Sequence, residues 1–303
     1  MDNVCHTLVG AAFGEAGLKQ RTRFGRSTLM IAANLPDIDV LVFATDVPSV
    51  AFRRGWTHGT LAQALLPVLL ATTVYAIGRM RSGRADDVPV RMQWLLLLSY
   101  VGVLSHVALD WLNTYGIRLL MPFDGRWFYG DTLFIIDPWL WLILGVGVWR
   151  AGRRGGPGPA RRGLVIATAY IATMCLTAQL ARGIVVEAWR AEHRSEPSSV
   201  MVGPLPITPF QREVIVDAGS YYVTGTFTWF FPRVTFDPAV TQKGDRDPRA
   251  VQSRGAPPVR GFLVWSRFPF WTFDRTPEGT HVTVGDMRFR GRGRPFVQTV
   301  AVP

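Results

Sequence analysis

Residues 60–78 read TLAQALLPVLLATTVYAIG, 19 residues without a charged side chain. That is close to the ~20 residues that carry an α-helix across a bilayer. A surface helix of a soluble domain would set an apolar stripe against a charged face, and this run has nothing charged to turn toward water. Three further runs share the property: residues 92–109, residues 132–149 with Asp137 as their one charge, and residues 163–181. Pro67 and Pro138 fall inside two of the runs, where membrane helices tolerate them with a kink. Two shorter apolar segments, residues 4–18 and 27–45, come first, the second interrupted by Pro36, Asp37 and Asp39. The expectation is an α-helical membrane bundle of four spans plus two short N-terminal helices, interfacial or packed inside the bundle.

Beyond residue 185 the pattern changes. Residues 190–199 (RAEHRSEPSS) are polar. After them come segments rich in Val, Thr and aromatics, several alternating with period two and separated by Gly and Pro: 213–217, 221–231, 261–273, 280–290 and 296–300. Residues 237–258 read as a loop or disordered insert. The chain thus divides into a helical membrane domain (1–185), a linker (186–202) and a small antiparallel β-rich domain (203–303).

The 303 residues carry a formal charge of +11, which would ordinarily suggest a nucleic-acid partner. The arginines instead collect between apolar runs: Lys19, Arg21, Arg23 and Arg26; Arg79, Arg81, Arg84 and Arg91; Arg150, Arg153, Arg154, Arg161 and Arg162. Short arginine-rich loops mark the cytoplasmic side of a membrane protein, so the expected partner is the lipid bilayer and no nucleic acid. With all three clusters inside, six helices alternate with both termini outside, and the β-rich domain is extracytoplasmic in a multi-pass plasma (inner) membrane protein. No cleavable signal peptide is read at the N-terminus. Cys5 and Cys175 form neither a metal knuckle nor a disulfide framework and read as small buried hydrophobes.

Under that topology the polar residues of the helical part converge on the outer side. His106, Asp110 and Asn113, in SHVALDWLN, sit at i, i+4 and i+7 and share one helix face. An imidazole and a carboxylate one turn apart can ligate one ion, or can merely hydrogen-bond and hold helices together. Asp37 and Asp39, in LPDID, offer two carboxylates from a turn, or mark a solvated helix end. His58 in GWTHG precedes a span, His6 lies near the start, and Asp137 opens an apolar run where a charge needs a reason. Together they suit zinc, with manganese or magnesium as alternatives, and a metal-activated water for attack on an ester or phosphoester. Asp124 and Asp131 form a looser acidic set beside Arg126; His193 and His281 are left out.

The order M-D-x-x-x-H, L-P-D-I-D, R-G-W-T-H, S-H-x-x-x-D-W-L-N-T-Y-G, then M-P-F-D-G-R-W-F-Y-G-D and I-I-D-P-W, resembles the YdjM-like family of membrane-bound metal-dependent hydrolases. The match is dense over residues 1–150; the β tail is similar mainly in P-x-P-x-x-P-F and Tyr221-Tyr222. The resemblance implies metal residues His6, Asp37, Asp39, His58, His106 and Asp110. More loosely, the succession of His and Asp is similar to zinc-dependent phospholipase C and to single-strand nucleases of the P1 type, which implies phosphodiester cleavage, in a membrane of a lipid. The chain departs from the family in carrying Arg53 where a histidine often stands, and from the phospholipases in having no histidine between His106 and His193. One or two metals therefore fit better than three, with Asp131 or Asp137 as a substitute ligand.

The leading expectation is a membrane-embedded metal-dependent hydrolase of phosphoester or other ester substrates. Asp37, His106 and Asp110 would be at the reaction centre, and Arg53, Arg54 or Arg126 would neutralise a phosphate. The alternative is a metal-stabilised, non-catalytic scaffold whose β domain binds an envelope partner. Ion transport fits less well, since it calls for ligands near mid-bilayer.

Overall fold

The computed structural model describes residues 1–45, 47–81, 88–231, 233–277, 279–290 and 296–302; Arg84 of the second arginine cluster lies outside them. Two compact units result, one of Met1–Val40 with Arg54–Leu176 and one of Leu41–Arg53 with Thr177–Pro303.

The first unit is helical. Helix α1 (Asn3–Glu15) starts where Asp2 accepts hydrogen bonds from the backbone N–H of Val4 and Cys5. Helix α2 (Gly25–Ala32) leads into a 3₁₀ stretch (Leu35–Ala44), and a single turn, α3 (Ser49–Phe52), belongs to the second unit. Then follow α4 (Thr60–Met80), α5 (Met92–Trp111), α6 (Pro138–Arg154) and α7 (Gly158–His193). Helices α4, α5 and α7 are each long and apolar enough to cross a membrane, and α2 with the 3₁₀ stretch, bent by 49°, is a fourth at most.

The run at residues 132–149 departs from expectation. Its helix is only 17 residues long and ends on Arg150, Arg153 and Arg154. Asp137 is the N-cap, accepting from the N–H of Trp139 and Leu140, and Pro138 pre-sets the first turn. The apolar residues before the cap thus add hydropathy to the sequence window without adding helix.

Two glycines set the packing that matters for the polar residues. A Cβ at Gly10 of α1 would stand 2.7 Å from the carbonyl oxygen of Leu29, and one at Gly102 of α5 would stand 2.9 Å from the backbone nitrogen of Ala33. Without those methyls, α1 and α5 close on α2 and its C-terminal end. Cys5, Val9 and Ala12 of α1 join Leu109, Leu140 and Leu144 in one buried apolar cluster, and α5 is the most enclosed of the three long helices.

The second unit holds two antiparallel sheets, as the alternation of its segments implies. Strands β1 (Ser199–Pro204), β2 (Gln211–Asp217), β3 (Tyr221–Thr228) and β4 (Arg233–Gln242) follow one another as a meander, and β5 (Pro269–Thr276), β6 (Gly279–Asp286) and β7 (Val297–Val302) form the other. Val214, Val216, Val223 and Phe227 pack with Val185 and Trp189 of α7. The residues read as a linker hold the last turns of α7 and most of β1. The segment read as a loop holds the end of β4, α8 (Pro248–Ser253) and the first turn of α9 (Pro257–Trp265), and α9 occupies the start of an expected strand. Pro257 and Pro258 suit a first helical turn, and Val259, Phe262 and Trp265 bury at helical spacing. Over so short an apolar run, helix and strand patterns coincide.

Candidate metal centre

Four elements supply the site. Helix α5 carries His106 and Asp110 on one face, with Asn113 just past its end; all three are fully buried. The turn before α4 supplies His58, the 3₁₀ stretch after α2 supplies Asp37 and Asp39, and α1 supplies His6. One ligand atom each from Asp37, His58, His106 and Asp110 lies within 4.8 Å of all the others.

The spacing within this group is that of ligands around one small cation. The two Nε2 atoms of His58 and His106 are 3.1 Å apart. Asp110 Oδ2 is 3.4 Å from His58 Nε2 and 3.6 Å from His106 Nε2, and Asp37 Oδ1 is 3.9 Å from His106 Nε2. Ligands about 2.1 Å from zinc in a tetrahedron stand about 3.4 Å from one another.

The outer nitrogens decide which way the imidazoles present their lone pairs. His106 Nδ1 is 2.8 Å from the carbonyl oxygen of Ala33, which can only accept, so Nδ1 carries the proton and Nε2 turns its lone pair inward. The Gly102 contact, one turn earlier on α5, brings Ala33 this near. His58 Nδ1 lies 2.9 Å from Thr57 Oγ1 and 3.6 Å from Asp39 Oδ2. A carboxylate on that side favours the same tautomer, leaving two lone pairs facing each other across 3.1 Å. Two imidazole lone pairs repel unless a cation lies between them. The donor set, two imidazoles and two carboxylates, therefore fits a divalent metal ion.

The remaining expected residues divide. His6 stacks on His106 with ring centroids 3.8 Å apart, and its Nε2 is 3.3 Å from Asp110 Oδ1. Neither of its ring nitrogens has a hydrogen-bond partner, and His6 borders the four that converge. Asp39 stands behind His58 and accepts from the Arg54 N–H at 2.7 Å. Asp137 is elsewhere: its oxygens accept from the α6 cap and from Tyr170 Oη at 3.0 Å, which accounts for a charge at that position without a metal. Asp124 pairs with Arg126 at 2.6 Å on the surface, Asp131 is outside the group, and Arg53 belongs to the second unit. His193 stacks on Trp189, and His281 is exposed on β6.

Of the three arginines expected to face a phosphate, Arg54 is the one placed against the group. It is buried, with Nε 2.9 Å from Asp110 Oδ2, one terminal nitrogen 3.2 Å from Asp110 Oδ1 and the other 2.8 Å from Asn113 Oδ1. Its guanidinium lies over the Tyr115 ring at 4.8 Å. The Met1 amino nitrogen also pairs with Asp110. A cleft of about 500 Å³ reaches the group at Asp37, bordered by Asn3, Thr7, Ile31, Asn34 and Ile38.

The model of the YdjM inner membrane protein family matches residues 1–182, a range that contains every member of the metal group. The uncharacterized protein YfhP of Bacillus subtilis (strain 168) is 24% identical over 317 residues, covering 100% of this chain and 91% of that one. No solved structure matches.

Proposed function

The chain belongs to the YdjM inner membrane protein family, and on that premise we propose that it is a metal-dependent hydrolase of phosphoester or other ester substrates, lipids among them. The observation that carries this reading is the buried set Asp37, His58, His106 and Asp110, whose ligand atoms converge within 4.8 Å. Zinc, or manganese or magnesium in its place, supplies Lewis acidity there and lowers the pKa of water held against it. The chain's own residues do the rest. His58 and His106 would hold the ion through Nε2, each oriented by what its Nδ1 meets. Asp110 would be the anionic ligand they share. Asp37, at the cleft, takes the proton of the attacking water on a carboxylate oxygen. Arg54, beside Asp110, lends positive charge to the oxyanion or phosphate that develops.

A purely structural ion is closed in by protein, whereas a catalytic one keeps a position open. The cleft at Asp37 favours the second. The arginine distribution supports a topology with the metal group and the β-rich domain extracytoplasmic.

The test is elemental analysis by plasma mass spectrometry of the detergent-purified protein beside His106→Ala/Asp110→Ala, with folding matched by circular dichroism. Near-stoichiometric metal in the first and none in the second is expected, followed by turnover in a screen of phosphodiesters and ester lipids. Metal absent from both after reconstitution would overturn the reading. Metal present with no turnover across the screen would leave the scaffold alternative, in which the β domain binds an envelope component.

A further inference from the structure

Away from the metal group, a pocket of about 260 Å³ lies where α6 ends and α7 begins. Its walls combine two chemistries. Arg150, Arg154 and Arg162 line it together with Ile143, Val146 and Ile166. All three arginines are exposed, and among the described residues no acidic side chain lines the pocket. The crossing that makes the concavity is close, since a Cβ on Gly147 would stand 3.3 Å from Gly163 Cα. The same end of α6 carries Trp149, 55% exposed, with the Arg153 guanidinium 5.0 Å from its ring centroid. A tryptophan beside arginines at a helix end marks the level of lipid headgroups, and Val165 and Ile166 on α7 are exposed apolar surface.

We propose that this pocket binds the phosphate of an anionic glycerophospholipid. The three guanidiniums would surround the phosphodiester, and the acyl chains would lie along Val146 and Ile166. Three converging cations with no acidic neighbour repel one another, and an anion relieves that. Guanidinium forks match phosphate oxygens in bidentate geometry, and basic pockets between membrane helices are a recurrent headgroup site. A free phosphate offers the same charge but leaves the apolar wall bare, which is why the lipid is preferred. The inference is independent of the metal group.

The experiment measures binding of phosphatidylglycerol and phosphatidylcholine to the purified full chain in mixed micelles, read by native mass spectrometry. The comparison is between wild type, the triple variant Arg150→Gln/Arg154→Gln/Arg162→Gln, and an equal-charge control, Arg79→Gln/Arg81→Gln/Arg91→Gln. Phosphatidylglycerol should bind the wild type and the control alike, and the pocket variant on the order of 100-fold more weakly, at roughly fivefold per arginine. Equal losses in both variants would show a diffuse charge effect and overturn the site. Binding of phosphatidylcholine as tightly as phosphatidylglycerol would do the same. Displacement of the lipid by millimolar inorganic phosphate or glycerol phosphate would overturn the lipid in favour of a soluble anion.

Discussion

Replacing Arg54 by methionine should make the stability of this protein depend on metal. The guanidinium holds both oxygens of Asp110, at 2.9 and 3.2 Å, inside a fully buried cluster. Removing one member of a buried ion pair costs about 3–5 kcal/mol, because the other charge stays behind uncompensated. His58 and His106 remain within 3.6 Å of the carboxylate, so the lower end, about 3 kcal/mol, applies when no metal is bound. At roughly 2–4 °C per kcal/mol for a chain of this size, that is a fall of about 6–12 °C in unfolding temperature. A divalent ion between the imidazoles and Asp110 supplies the missing charge, so saturating zinc should recover most of the loss. What remains is the hydrogen bond to Asn113 and the stacking on Tyr115. The assay is tryptophan-fluorescence melting in detergent, with a chelator and with excess zinc. An equal drop in both conditions would refute the reasoning, since Arg54 would then be packing rather than charge balance.

Asp39 touches the outer nitrogen of His58, so Asp39→Asn should weaken metal binding about 10–100-fold in competition with a chromophoric chelator. Asp137→Ala should leave that affinity unchanged and cost about 0.5–2 kcal/mol of stability through the lost α6 cap. Gly102→Ala places a methyl 2.9 Å from the Ala33 backbone nitrogen. Helix α5 must then back away from Ala33, with a cost of about 1–3 kcal/mol and a lower metal affinity; unchanged affinity would mean that the Ala33 carbonyl does not orient His106. In the β-rich unit, burial alone would raise the pKa of Asp286, but the Arg288 guanidinium, Ser266 and the Phe268 N–H hold it below the ordinary carboxylate value. A depressed folded pKa gives stability that is present above the unfolded value, near 4, and lost as pH falls toward the folded one. Melting of this unit, followed between pH 3 and 6, should weaken with acid, and Asp286→Asn should flatten that slope.

The polar residues that share an element were legible because helix and turn geometry are local: His106 and Asp110 need only the i, i+4 rule, and Asp37 and Asp39, of which Asp37 alone joins the converging four, only a turn after proline. That His58 reaches the same point from another element depends on packing that leaves no room for a Cβ at Gly55, against Arg118, or at Gly59, against Met121. The partner that turns His106 inward is a backbone carbonyl, which no side-chain pattern announces. Asp137 shows the opposite failure. A charge in an apolar run has two ordinary explanations, a functional site or a helix cap, and only the positions of the neighbouring N–H groups separate them. The same residue bears on the span count, three helices or up to four by length and composition, because hydropathy cannot register that a cap has shortened the helix behind it.

The charge balance around Asp110 joins the site to the proposed chemistry. Asp37, Asp39 and Asp110 are all buried, and Arg54 lies against Asp110 while its backbone N–H meets Asp39. Carboxylates this far from water need positive charge beside them. An ion bound by Asp110 and the two imidazoles would need an oxygen that Arg54 holds at 2.9 Å, so ion and guanidinium would compete for it. With an ion in place, the Arg54 guanidinium would have surplus charge beside Asp110, and an anionic substrate group would be a natural new partner for it. A neutral ester gains less from this than a phosphoester, because only the phosphoester brings a charge of its own in the ground state. Arg54→Lys, which keeps the charge but loses the fork, should therefore depress turnover of phosphodiesters more than that of carboxylic esters. Equal losses on both would take Arg54 out of substrate recognition and return it to holding Asp110.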